Sequence, residues 1–230
     1  EAAFRVGYQV YLEKGYIREN AEKCLIQKYD SNKETVIFIV QDHQKNIAGT
    51  ATLVVDGLSK IPAEKIYADE LKQLRDSGCT LTEISRLVIS PDYRNSKEII
   101  NLLFNYLLIY IQYVKGYNSL TIQVNTRHKQ YYKTLLSFTE IGEEKACPQV
   151  QNAPAVLLHL PMAISQSEIK RFDNANHIEK KERSLYQYFL RSEQESLVAY
   201  YLAKQVKPMS AYEKQYFGLT QPIIGQPVGV

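Results

Sequence analysis

Three polar side chains sit close together in an otherwise apolar stretch: Glu83, Ser85 and Arg86, inside the string EISRL. The residues around them, Thr82 to Ser90, are rich in β-branched types and stop at Pro91-Asp92, so they read as a strand. A buried strand rarely holds three polar positions unless they are paired or used. Alternation puts Glu83 and Ser85 on one face and Arg86 on the other. Partial burial of Glu83 raises its pKa toward the range of a useful base, unless Arg86 or Arg5 pairs with it and pulls the value down. Both arginines also suit a carboxylate on a ligand, because a guanidinium binds that group with two parallel hydrogen bonds.

The element behind this strand is a long apolar helix. Ser96 is placed to cap its start and Gly116 its end, and it is apolar on nearly every face, so it belongs to the core. Asn105 and Gln112 interrupt it, and it is too short to cross a bilayer. A strand that feeds a helix leaves backbone N–H groups free at the corner. Here the corner runs from Val88 and Ile89 to Arg94-Asn95-Ser96, a place to hold an anionic group such as a phosphate.

A chain of 230 residues, 45% hydrophobic and 23% charged, fits a soluble globular protein with one good-sized core and a small appendage. The net charge of +3 argues against a nucleic-acid partner and would not repel an acidic one. Cys24, Cys79 and Cys147 are scattered and odd in number, which reads as reduced thiols in a cytoplasmic protein. No His/Cys cluster has ligand spacing, so no metal or redox cofactor is expected. No signal peptide, integral membrane segment or lipidation motif is visible.

Along the chain, residues 2–16 read as an amphipathic helix with Phe4, Tyr8 and Tyr11 on one side and Arg5 beside them. A short helix is expected over 21–28, with Asp30 as a turn residue. Val36–Gln41 and Ala48–Asp56 form an antiparallel hairpin, and 61–74 is mostly helical. Ser119–Val124 is a strand that feeds a second strand-to-helix corner, Asn125 to Phe138, holding His128 and Tyr132. Ala153 to Met162 follows as another strand. Beyond Met162 the composition shifts to amphipathic helices, with capping-box spacing at Ser165-x-x-Glu168 and Ser192-x-x-Glu195, and a Pro- and Gly-rich tail from Lys207. This divides the chain into a core domain, 1–162, and a helical extension with tail, 163–230. The extension either packs on the core or a second subunit, or roofs a substrate channel and docks a carrier.

Several strings together resemble a known family. They are EISRL followed by PDYR and a buried helix, then R-H-x-x-Y-Y, then I-G-E, then P-x-V-x-N-A-P-A-x-L-L. They run in order over about residues 3–162 and are similar to N-acyl amino acid synthases, relatives of autoinducer (acyl-homoserine-lactone) synthases within the GCN5-related N-acetyltransferase (GNAT) superfamily. The resemblance implies an α/β (α+β) GNAT-like acyltransferase fold with a mixed, mostly antiparallel sheet flanked by helices and a C-terminal helical extension. It implies that Arg5, Tyr8, Val10 and Tyr11 help wall the donor and acceptor site. Tyr132 stands where relatives place the proton donor to the departing thiolate, although Ser137 replaces the glycine expected at the turn behind it. Autoinducer synthases also carry an acidic loop, which Tyr29-Asp30 resembles although the fuller pair of aspartates is missing here, and a strand arginine. Thr50 and Thr52 occupy the arginine's region, and both departures count against lactone formation.

The expected reaction is amide formation from a thioester. Glu83, with Ser85 beside it, serves as base, Tyr132 as acid, and His128 binds a substrate carboxylate or orients Tyr132. Coenzyme A-using relatives have a Gly-rich pyrophosphate loop, whereas Arg94-Asn95-Ser96-Lys97-Glu98 has no glycine. That favours a single acyl-phosphopantetheine on an acyl-carrier protein over acyl-CoA as donor, with an amino acid or other amine as acceptor. No cofactor is expected to be bound permanently. Rivals are autoinducer synthesis, a coenzyme A-dependent acetyltransferase, and a catalytically silent protein that binds only an acyl chain or a partner.

Overall fold

The computed structural model describes residues 1–94, 96–175 and 182–219. Asn95, part of the expected anion corner, lies outside them.

Helix α1 (Ala2–Glu13) turns its aromatic side inward and ends at Gly15, whose φ of +67° costs a glycine little. Residues 21–27 form no helix; a single 3-10 turn, Lys28–Ser31, takes the place of the expected one. The hairpin is β1 (Val36–Gln41) and β2 (Ile47–Val55), followed by α2 (Glu64–Asp76), β3 (Leu81–Ile89) and α3 (Lys97–Ile109). A π-helical turn, Tyr110–Val114, completes α3 before Gly116. Next come β4 (Ser119–Asn125), α4 (Lys129–Leu136), β5 (Thr139–Cys147) and β6 (Ala153–Pro161). Helices α5 (Met162–Asp173), α6 (Ser192–Gln205) and α7 (Ala211–Tyr216) form the C-terminal part.

The six strands lie in the order β1-β2-β3-β4-β6-β5. Every pair is antiparallel except β3–β4, which is parallel and short: it joins only Leu81–Ile84 to Ser119–Ile122. Past those residues the two strands part, leaving a split in the middle of the sheet. One face packs on α3, whose Leu103, Phe104, Leu107 and Ile111 meet Ala51, Leu53, Ile84 and Ile122. The C-terminal part joins this core, since Ile169, Leu185, Tyr186 and Phe189 belong to the same apolar cluster and Tyr186 donates to the Leu136 carbonyl at 3.0 Å. Helices α1 and α2 cover the other face, where Tyr67 and Leu71 pack on Val54, Leu81 and Leu157.

Two of the motif positions have packing explanations. A Cβ on Gly142 would come within 2.6 Å of the Tyr67 ring, so the glycine of I-G-E lets Tyr67 lie flat on the sheet and bond to the Glu143 and Ala155 carbonyls. Ser137, at φ +59°, adopts the left-handed conformation that glycine favours, so the turn behind Tyr132 forms without one. The capping boxes shift. Ser165 lies inside α5 and bonds back to Met162, while Ser192 bonds Asp173 and Glu195 is buried against the Tyr113 hydroxyl. Among the described residues no helix is long and apolar enough to cross a membrane.

Candidate active site

The split between β3 and β4 opens into a cavity of about 160 Å³. Its walls bring together the two corners singled out in the sequence: Glu83, Ser85 and Arg86 from β3, His128 and Tyr132 from the β4–α4 corner, and Tyr11 from α1. Beyond Ile84, β3 pairs with β2 on one side and has no strand on the other. Its backbone groups on that side therefore face the split.

Glu83 is 2% exposed, and its Oε2 accepts from the backbone N–H of Ala63 at 2.7 Å. Arg75 fixes the segment that delivers Ala63. It pairs with Asp56 at the end of β2 and Glu64 at the start of α2, each at 2.6 Å. No arginine pairs with Glu83. Burial pushes its carboxyl up to about 8 and Glu64 adds to this, while the Ala63 bond holds it down in part. The group is thus a neutral acid below about pH 8 that becomes a carboxylate within reach of physiological conditions.

Arg86 differs from the expectation in face and in partner. Thr52 pairs with Ser85 and Thr50 with Val88, so β3 carries one extra residue there, and Arg86 takes a φ of +50°. This bulge moves Arg86 onto the same face as Glu83. Although Arg86 lines the cavity, the terminal nitrogens of its guanidinium are committed within the protein. It grips the buried Asp30 with two hydrogen bonds, one of 2.8 Å, and also bonds the Leu25 carbonyl and Thr52 Oγ1, each at 3.0 Å. Asp30 is therefore a buried ion-pair partner rather than a simple turn residue, and its Oδ2 also accepts from the Gln27 N–H at 2.7 Å.

Arg5 lies on the outer side of α1, exposed and paired with Glu1 four residues earlier. The Glu1–Arg5 spacing is a helical ion-pair signal that anticipates this. Tyr8 is buried on the same helix but outside the cavity wall, its hydroxyl 3.4 Å from the Asn20 N–H. Tyr11 does reach the cavity, and burial pushes its phenol up to about 12.

Tyr132 stands in an aromatic nest of Phe104, Phe138 and Tyr131, with ring centroids 5.4–6.1 Å away. Among the described residues no group hydrogen-bonds its hydroxyl. Burial, with Tyr131 and Tyr11 adding to it, pushes its pKa well above the ordinary value, so the proton stays on. His128 starts α4 at the cavity rim and accepts from Arg127 Nε at 3.0 Å; burial, then Arg127 and Lys14, lowers its pKa.

The β3–α3 corner lies outside the cavity wall. Val88 and Ile89 pair with Thr50 and Gly49. The N–H groups of Arg94 and Ser96 are spent on Pro91 and Tyr93, so among the described residues of the corner the first turn of α3 is the source of free donors. Arg94 pairs with Glu13 at 2.5 Å. Among the wall residues to which the sequence reading gave no site role are Lys14, Gln123 and Cys147. Gln123 Nε2 bonds the Cys147 thiol at 2.7 Å, and its Oε1 is buried without a partner.

A mixed sheet split after a short parallel pair, with a buried carboxyl on β3 and, on α4, a tyrosine hydroxyl without a partner among the described residues, defines a GNAT-like acyltransferase. Comparison with known proteins agrees. The profile of the N-acyl amino acid synthase FeeM family matches residues 2–161. The chain belongs to this family and is an N-acyltransferase. The structure of FeeM, an N-acyl amino acid synthase from uncultured soil microbes, is similar at 27% identity and a TM-score of 0.61, over 70% of this chain and 90% of that one. Two coenzyme A-dependent acyl-homoserine lactone synthases share the fold. BjaI, with SAM and isopentyl-CoA, has 18% identity and a TM-score of 0.52 over 70% of this chain and 75% of its own. MesI has 17% and 0.52 over 77% and 89%. No curated protein matches the chain.

Proposed function

We propose that this protein transfers a long-chain acyl group from a phosphopantetheine thioester on an acyl-carrier protein to the amine of an amino acid. The observation that carries the reading is one cavity walled by a carboxyl poised near pH 8 and a phenol that keeps its proton. The acceptor arrives as an ammonium. Glu83, as carboxylate, takes one proton from it and passes that proton to solvent. The free amine attacks the thioester carbonyl carbon, and backbone N–H groups on the open side of β3 stabilise the oxyanion. When the C–S bond breaks, Tyr132 gives its proton to the leaving sulfur. The second N–H proton of the attacking nitrogen restores the phenol, so one amide, one thiol and one released proton balance the step.

The choice of donor rests on the loop before α3, which lacks glycine at every position from Arg94 to Glu98. Side chains throughout keep the backbone from closing around a pyrophosphate, while a helix start still suits one phosphate. Membership of the family supports an amino acid as the acceptor. Ser85 lines the cavity beside Glu83 and is placed to hold the water or amine that Glu83 deprotonates.

The test is mass spectrometry of lipid extracts from bacteria expressing the chain or its Glu83→Gln/Tyr132→Phe variant, followed by assay of the purified protein with acyl-carrier protein and with acyl-CoA. New N-acyl amino acids made only by the unaltered chain are expected, with faster turnover of the carrier-bound donor. A purified protein that binds acyl donor yet leaves the thioester intact with every amine offered overturns the reading.

A further inference from the structure

The mouth of the cavity is short of negative charge. Lys14, at the C-terminal end of α1, lines the cavity and has no acidic partner among the described residues. Its neighbour Glu13 is committed to Arg94. Arg127, on the turn between β4 and α4, has only neutral partners among the described residues: its Nε donates to His128 at 3.0 Å and its terminal nitrogen to the Tyr16 hydroxyl at 3.3 Å. Tyr16 and His128 both line the cavity, so the Arg127 guanidinium is held at the rim by two wall residues. The Asn125 side chain, which accepts from the Arg127 N–H at 3.2 Å, fixes the turn beneath it. Lys14 and Arg127 thus stand at the mouth without an acid of their own among the described residues, beside the Glu13–Arg94 pair. Lys14 registers these neighbours, since burial, Arg127 and Arg94 all push its pKa down while Glu13 opposes them.

We infer that Lys14 and Arg127 form an anion subsite at the cavity mouth, which takes an anionic oxygen group of a substrate. This deepens the acyl-transfer reading and rests on it for the identity of the ligand. Two groups have the required chemistry: the carboxylate of the amino acid acceptor and the phosphate of the pantetheine arm. An anion placed there turns the unrelieved repulsion between the two cations into two charge-assisted contacts, with a fork from Arg127 and a point charge from Lys14. It also orients the ligand, because Glu83 and Tyr132 line the same cavity. Charge at the mouth and acid–base groups inside give an incoming molecule a defined head and tail.

The experiment measures binding, so it does not depend on turnover. Isothermal titration compares two probe pairs on the unaltered protein and on Lys14→Gln, Arg127→Gln and the double variant. One pair is N-dodecanoylglycine with its uncharged amide; the other is 4′-phosphopantetheine with pantetheine. In at least one pair the charged probe should bind at least about 10-fold tighter to the unaltered protein, as charge-assisted hydrogen bonds dictate. The double variant should reduce that preference to less than about 3-fold and leave the uncharged probe unchanged. Loss confined to the first pair assigns the subsite to the acceptor, and loss confined to the second assigns it to the donor. Both side chains are at the surface, so circular dichroism should show the variants folded. A charged-probe preference that is absent, or that survives in the folded double variant, overturns the inference. Failure of acyl transfer alongside intact, Lys14-dependent anion binding would instead count against the reaction.

Discussion

Replacing Glu83 with glutamine tests the buried carboxyl through stability, without needing a substrate. The side chain keeps its shape, and its amide oxygen still accepts from the Ala63 N–H now bonded at 2.7 Å. Below about pH 4.5 the wild-type carboxyl is protonated in the folded and unfolded chain alike, so it contributes no pH dependence. Between 4.5 and about 8 only the unfolded chain gives up the proton, and wild-type stability falls as pH rises. Above about 8 both states are ionised and the loss is complete. A rise of roughly 3.5 pH units at about 1.36 kcal/mol each sets its ceiling at about 5 kcal/mol. Water in the adjoining cavity lowers that figure, and at least ~1 kcal/mol should remain. The assay is thermal unfolding of both proteins at pH 5 and pH 8.5. For a chain of this size each kcal/mol moves Tm by roughly 2–4 °C. The Glu83→Gln variant should melt within a few degrees of wild type at pH 5 and clearly above it at pH 8.5. Tyr29 and Glu64 also face Glu83, but they are unchanged in the variant and cancel in the difference. A difference that is the same at both pH values refutes the reasoning, and with it the claim that Glu83 is held neutral by burial.

Tyr132→Phe should lower kcat by about 100-fold or more while leaving donor binding within a factor of two, read by single-turnover assay and titration. Unchanged turnover would remove the hydroxyl from the proton path. Asp30→Asn should cost about 3–5 kcal/mol in urea unfolding, because it leaves the Arg86 guanidinium buried without its counter-charge. A loss under 1 kcal/mol would show that Arg86 is solvated and free to act elsewhere.

Much of the scaffold was legible because it rests on local pattern. The strand over 81–89, the hairpin before it and the apolar helix behind it each follow from residue type, turn chemistry and caps. Glu83 and Tyr132 come to one site through the resemblance carried by EISRL and R-H-x-x-Y-Y, not through the split, which no local pattern announces. The rest depended on events that local pattern does not encode. A single extra residue in β3 reverses the face of Arg86, and strict alternation cannot register it. The Arg86–Asp30 pair joins residues 56 apart in sequence, and Asp30 sits in a lone 3-10 turn of the irregular stretch between α1 and β1. Lys14, Gln123 and Cys147 enter the wall only because α1, β4 and β5 converge there. Arg5 is the opposite case, since its helical neighbour Glu1 was visible from the start.

The parting of β3 from β4 has a consequence for how the protein survives at high concentration. Open strand edges recruit strands from other molecules, and they do so most readily at the rim of a sheet. Here the open backbone lies in the middle of the sheet, enclosed by Tyr11 and Lys14 on one side and by His128 and Tyr132 on the other. A neighbouring polypeptide carries side chains on both faces and is too broad to enter, whereas a slender unbranched arm is not. At the β5 rim, Glu143, Glu144 and Lys145 place charge where a foreign strand would dock. The gap therefore acts as a filter on molecular width, keeping hydrogen-bonding capacity available to a thin substrate while denying it to self-association.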